Sequence, residues 1–122
     1  STPLRYTTLV RSVDEGIDCV KHNQFEKSVE AFDQALIFEP DYPEFLGPYA
    51  VALYETKDFH RAREIAARLL HSGTTSYIDA MELYLTISIQ LQEYEEVEMT
   101  IDTLLEEGII PHELRTKFNY LR

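Results

Sequence analysis

Large apolar side chains recur along this chain at steps of three and four, divided by short polar breaks, and that spacing predicts amphipathic helices. Leu9, Val13, Ile17 and Val20 form the first stripe, with Gly16 interrupting its bulk. The helix carrying them is predicted over residues 3 to about 22, with Thr2 as its cap and Pro3 in the first turn, where a missing N–H is harmless. After the polar break Lys21-His22-Asn23-Gln24, a second helix covers residues 25–39 with Phe25, Val29, Phe32 and Leu36 on one face. Ser28 and Ala35 place small side chains between those large ones, where a neighbouring helix can come close, and Pro40 stops the helix. A connection this short predicts an antiparallel hairpin.

The third helix opens at Asp41 or Tyr42 and runs to about Thr56. Within it Gly47-Pro48 predicts either a bend or a regular part that begins at Pro48 with Gly47 as cap. The fourth helix covers residues 59–71 and ends at Ser72-Gly73. The fifth runs from Thr75 or Ser76 to Leu91, and the sixth covers residues 94–107 with Gly108 as a left-handed C′ residue. A seventh starts at Pro111 and reaches the end of the chain.

The helices repeat in register. Phe25 and Phe59 are 34 residues apart, and Phe59 and Tyr94 are 35 apart. Three residues after each aromatic stand Ser28, Ala62 and Val97; seven after, Phe32, Ala66 and Ile101; ten after, Ala35, Leu69 and Leu104. Nine before stand Gly16, Ala50 and Leu85. A period of this length built from helix pairs is the mark of a solenoid.

This pattern resembles the tetratricopeptide repeat (TPR), which has a small residue in its first helix, an aromatic opening the second, then small, aromatic, small and a closing proline. The first unit fits at Gly16, Phe25, Ser28, Phe32, Ala35 and Pro40. The second keeps Ala50, Phe59 and Ala62, reverses the sizes at Ala66 and Leu69, and has Thr74 in place of the proline. The third places Leu85, Val97 and Leu104 where the family keeps small residues, which predicts wider helix spacing there. The resemblance implies an all-α, right-handed helical-hairpin array of about seven helices, with units over 9–42, 43–76 and 77–111 and a capping helix over 111–122. Glu107-Gly108-Ile109-Ile110-Pro111 also looks like the end of a pentatricopeptide unit, a family that binds single-stranded RNA.

Charge weighs against that second resemblance. The net charge is −11, and it is concentrated: residues 69–114 contain ten carboxylates and no Lys or Arg. Such a surface repels phosphate backbones and anionic membranes and attracts basic protein segments, so neither nucleic acid nor membrane is expected as a partner. No apolar run approaches the roughly 18 residues of a membrane span. The single cysteine, Cys19, rules out an internal disulfide framework and favours a reducing compartment, so a cytoplasmic location is expected. At 122 residues and 44% hydrophobic, the chain is of a size and composition for one domain with a real core.

Nothing in the sequence assembles catalytic chemistry. His22, His60, His71 and His112 share no helical spacing, and Cys19 with His22 falls short of a tetrahedral metal site. The four glycines are isolated, so no phosphate-cradling loop exists. Cys19 sits at a packing position and reads as a buried, inert thiol, while the eight tyrosines read as core residues with a wet tip. The acidic run Glu93-Tyr94-Glu95-Glu96-Val97-Glu98 reads as a solvated face near a helix N-terminus, where carboxylates are favourable. The expectation is therefore a non-enzymatic protein with no cofactor and no metal.

In tetratricopeptide arrays the first helix of each unit lines a concave groove. Mapped by the repeat, that face carries Val13, Ile17 and Val20, then Gly47, Val51, Tyr54 and Glu55, then Glu82, Thr86 and Ile89. The Lys, Asn and Arg with which some relatives clamp a peptide carboxylate are missing from these positions. The groove is apolar, with Asp14, Glu44, Glu55, Asp79 and Glu82 at its margins, and suits a protein or peptide segment that is apolar with basic flanks. The expected function is that of an adaptor or scaffold. Two alternatives stand beside it: a chaperone resembling the small acidic tetratricopeptide chaperones of secretion systems, and a structural or homo-oligomerisation segment of a larger protein.

Overall fold

The computed structural model describes residues 2–39 and 43–108. The expected helix over 111–122, the stop at Pro40 and the unit boundaries at 42 and 111 lie outside them. The described residues form six α-helices: α1 (Thr2–Lys21), α2 (Phe25–Phe38), α3 (Leu46–Glu55), α4 (Phe59–Leu70), α5 (Tyr77–Gln90) and α6 (Tyr94–Glu106). A short 3-10 turn, Pro43–Phe45, precedes α3. Neighbouring helices pack in chain order, α1 on α2, α2 on α3, α3 on α4 and α4 on α5, with α1 also reaching α3.

The Gly47-Pro48 question resolves in a third way. The α-helical part begins at Leu46, so Pro48 is its third residue and lies in the first turn, where its absent N–H breaks no helical hydrogen bond. At α5, Ser76 is the cap, its hydroxyl accepting from the Asp79 N–H at 3.1 Å.

The three turns inside the hairpins are copies of one another. Asn23, Lys57 and Gln92 all have left-handed backbone, with φ of 59°, 67° and 62°. In each, that residue's N–H donates to the carbonyl three residues back, Val20, Tyr54 or Ile89, at 3.0, 3.0 and 2.9 Å. The next N–H reaches five residues back, to Cys19, Leu53 or Ser88, at 2.8, 2.9 and 3.2 Å. This paired bonding closes the last turn of one helix and aims the chain straight into the next. The 34- and 35-residue period is thus present in the backbone as well as in the side chains.

Close helix approach occurs where small residues were placed. Ser28, Ala35, Ala50 and Ala62 are fully buried. Gly16 is a true contact glycine: a Cβ there would stand 2.4 Å from Phe32 Cε1, and the Ser28 hydroxyl donates to the Gly16 carbonyl at 2.9 Å. Between the first and second hairpins, Phe32, Phe45 and Tyr49 form a buried ring cluster with centroids 5.5 to 5.7 Å apart, Phe32 and Phe45 stacked. This is the centre of one continuous core that spans α1 to α4 and takes in Ala80 and Ile87 of α5. A second, smaller core joins Met81 and Leu85 of α5 to Val97, Ile101 and Leu104 of α6. The larger residues of the third unit meet only there, and the α5 backbone lies against α4 more extensively than against α6.

Candidate functional site

The open face of α3 is fixed by what the helix buries. Leu46, Tyr49, Ala50, Ala52 and Leu53 face the core, which leaves Gly47, Val51, Tyr54 and Glu55 along the other side. A Cβ built on Gly47 meets open space, Val51 is half-buried and Glu55 is exposed. On α5, Glu82, Thr86 and Ile89 fall at steps of four and three and are all half-buried, with the Thr86 hydroxyl turned back to the Glu82 carbonyl at 2.8 Å. Asp14, Glu44, Glu55 and Asp79 are exposed.

The contribution of α1 differs from expectation. Val13 is only 6% exposed and belongs to the core, because the stripe it shares with Leu9 is the face that α1 packs inward. It cannot line a surface groove. Ile17 and Val20 are half-buried against the same core, and Tyr54 leans on the Phe59 ring at 5.5 Å, so both ends of the predicted face are partly committed to packing. Ile89 likewise rests on the smaller core. What stays partly open of the expected face lies on α3 and α5, whereas the most exposed large apolar side chains, Ile37 and Met99, lie on α2 and α6. Helices α3 and α5 have at most marginal backbone contact, and α4 packs against both.

Two described clefts lie elsewhere. One, of about 570 Å³, runs along α1 and α2 between Glu15, Asp18, Cys19, Lys27, Glu30 and Gln34, so Cys19 is half-buried at a cleft rather than sealed in the core. The other, of about 420 Å³, follows α6 past Glu95, Met99, Thr103 and Leu104. The tyrosines also divide: Tyr49 is fully buried, while Tyr6, Tyr77 and Tyr94 are substantially exposed. Among the described residues, no group of three His, Cys, Asp or Glu side chains could hold a metal ion. No helix among them is long and apolar enough to cross a membrane.

Sequence reasoning missed the polar framework behind this face. Arg61 of α4 donates to Asp33 of α2 at 2.7 Å and to the Tyr49 hydroxyl of α3 at 2.5 Å, and Tyr49 donates to Asp33. Burial, and then the hydrogen bond to Asp33, push the Tyr49 phenol well above its ordinary range. The hydrogen bond to Asp33 raises Arg61 in turn. Two residues on, Arg63 points the other way, to Tyr84 of α5 and to Glu93 and Glu96 at the start of α6. Two carboxylates of the acidic run are therefore answered by a cation from outside it. A signal existed: Tyr49 and Tyr84 stand at the same place in their repeats, each ten residues before the aromatic that opens the next helix.

Three copies of one hairpin turn, with small residues at the helix crossings of the first two, define the class: a helical-hairpin repeat protein. The chain is similar to the TPR repeat-containing protein YsoA of Bacillus subtilis (strain 168), with 29% identity over 108 residues, covering 88% of this chain and 32% of that protein. It spans about a third of the length of that curated relative. No family model matches the chain, and no solved structure matches it.

Proposed function

We propose that this chain is a non-catalytic protein-interaction module, an adaptor or scaffold, that takes up an apolar segment with basic flanks on the face shared by α3 and α5. The observation that carries the reading is a half-open strip on the side of α3 turned from the core, Gly47, Val51 and Tyr54, with Glu55 exposed on that side; Asp14, Glu44 and Asp79 are exposed as well. Repeat proteins of this type present extended surfaces of this kind to peptide and protein ligands. A partner's apolar side chains would supply the affinity, each worth roughly 1.5–3 kcal/mol on full burial, so a few anchors give a complex of roughly micromolar Kd after the costs of association. The carboxylates would steer a Lys- or Arg-flanked segment and reject an acidic one. Repeat boundaries at 9–42, 43–76 and 77–111 belong to this proposal, as does a cytoplasmic setting suited to a lone cysteine.

The test is fluorescence anisotropy with labelled synthetic peptides that share a Leu- and Ile-rich centre and differ in their flanks, Lys or Glu. The Lys-flanked peptide is expected to bind at roughly micromolar Kd and to weaken at least tenfold in Val51→Glu, with the melting temperature held. Val51 is the residue to change because Tyr54, packed on Phe59, also supports the fold. Equal binding of both peptides, or unchanged binding to Val51→Glu, contradicts the proposal.

A further inference from the structure

Charge and polarity change from hairpin to hairpin on the face that the proposed function uses. The three hairpin turns share one conformation and one set of hydrogen bonds, so residues equally far before Asn23, Lys57 and Gln92 hold equal places in their hairpins. Three before each turn residue the side chains are Val20, Tyr54 and Ile89, apolar and half-buried throughout. Six before they are Ile17, Val51 and Thr86. Ten before they are Val13, which is core, then Gly47 and Glu82, so the aliphatic character of α1 gives way to polar groups on α5. Thirteen before stand half-buried Val10, then exposed Glu44 in the 3-10 turn ahead of α3, and exposed Asp79 in the first turn of α5. Two before stand Lys21, Glu55 and Gln90, all exposed. At these places the first hairpin therefore offers a cation, Lys21, and no carboxylate. The second offers Glu44 and Glu55, the third Asp79 and Glu82, and neither offers a cation. Asp14 does not break this pattern: it is level with Pro48 and Leu83, and Leu83 packs into the larger core, on the side where α5 meets the hairpins before it.

We propose that this face takes its partner in one direction only: a segment whose apolar end runs over α3 towards α1 and whose Lys- or Arg-rich end lies over α5. The proposal rests on the reading of α3 and α5 as the recognition face, and adds to it the order of the partner's parts. Contact of α1 with α3, and packing of α4 against both α3 and α5, put the three first helices in the order α1, α3, α5. With the segment placed as proposed, Ile17, Val51 and Tyr54 meet apolar groups, while Thr86, Asp79 and Glu82 stay among polar ones. The opposite placement sets the partner's cations beside Lys21 and its apolar side chains over Asp79 and Glu82, where carboxylates lose hydration and gain no partner. A uniformly basic segment gains less, because its charges nearest α1 meet Lys21 rather than a carboxylate.

The test uses the whole ¹⁵N-labelled chain and one synthetic peptide, Leu- and Ile-rich at one end and Lys-rich at the other, with a nitroxide at either end in separate samples. Paramagnetic broadening falls steeply with distance, so the two labels read which end lies over which helix. The label at the Lys end is expected to broaden the amides of residues 79–90 more than those of residues 10–21, and the label at the apolar end to do the reverse. Exchanging the end charges, Lys21→Glu with Asp79→Lys, is expected to weaken binding by roughly 3–10-fold at low salt and by much less at about 500 mM sodium chloride. Both side chains are exposed, so the melting temperature is expected to hold. Equal broadening of both segments by both labels, or broadening in the opposite order, overturns the direction while leaving the recognition face in place. So does an affinity untouched by the charge exchange. Failure of the peptide to bind, or broadening confined to residues outside α1, α3 and α5, removes the recognition face itself and this proposal with it.

Discussion

Gly16 and the Phe32 ring share a space that admits no further carbon atom, and this pair sets how closely the first hairpin closes. The required Cβ would lie at 2.4 to 2.6 Å from three atoms of the ring, on a side chain locked between Phe45 and Tyr49. Gly16→Ala is expected to lower stability by about 1–3 kcal/mol in urea unfolding, whereas Gly47→Ala, which meets open space, is expected to be neutral or to gain up to about 1 kcal/mol. Both glycines lie in helices, and composition alone does not separate them. The repeat register does, since Gly16 aligns with Ala50 and Leu85 while Gly47 falls on the open face. The hairpin turns were legible in position but not in conformation. Asn23 accepts a left-handed backbone readily, but Lys57 and Gln92 do so only because the surrounding bonds demand it. Gln92→Gly is accordingly expected to raise the melting temperature by an increment worth about 1 kcal/mol, and no change would mean that this turn relaxes away from positive φ in solution.

At the scale of elements, α4 is the member that ties the array together, and its two arginines work in opposite directions. Arg61 reaches back to the hairpin before it and Arg63 forward to the one after, each over a tyrosine at the same place in the repeat, at 5.8 and 5.4 Å. Charge read along the chain hides this, because Asp33 and Arg61 are 28 residues apart and Arg63 and Glu93 are 30 apart. The third helix shows the same limit. Gly47-Pro48 announced an irregularity, but only the 3-10 turn at Pro43–Phe45 explains how the proline comes to lie in a first turn. Tyr49 offers a test of the Arg61 cluster. Its phenol ionises near pH 10 in an unfolded chain and higher in the folded one. Its contribution is therefore fully present below about pH 10 and is lost as pH rises from there towards the folded value. Tyr49→Phe is expected to cost about 0.5–1.5 kcal/mol at neutral pH, with the gap from wild type narrowing in thermal melts above about pH 10. A gap that stays constant or widens there contradicts the cluster.

For the whole molecule, periodicity carried the architecture, and it did so because one repeated helix pair stacks on its neighbours at a fixed interval. The groove was less legible. Repeat position says which helix faces the hollow side, but how much of each face remains open depends on how the helices lean on one another. Val13 illustrates this, a residue of the expected groove that the packing of α1 on α2 and α3 turns into core. The strip that remains, Gly47 and Val51 on α3 with Thr86 and Ile89 on α5, is the surface on which the proposed function rests. Its most direct test is a chemical-shift map from ¹⁵N-labelled protein titrated with the Lys-flanked peptide. Perturbations centred on residues 47–55 and 82–89, absent in Val51→Glu, are the predicted result. Perturbations confined to the α1–α2 cleft around Glu15 and Glu30, or to the Met99 face of α6, would contradict it.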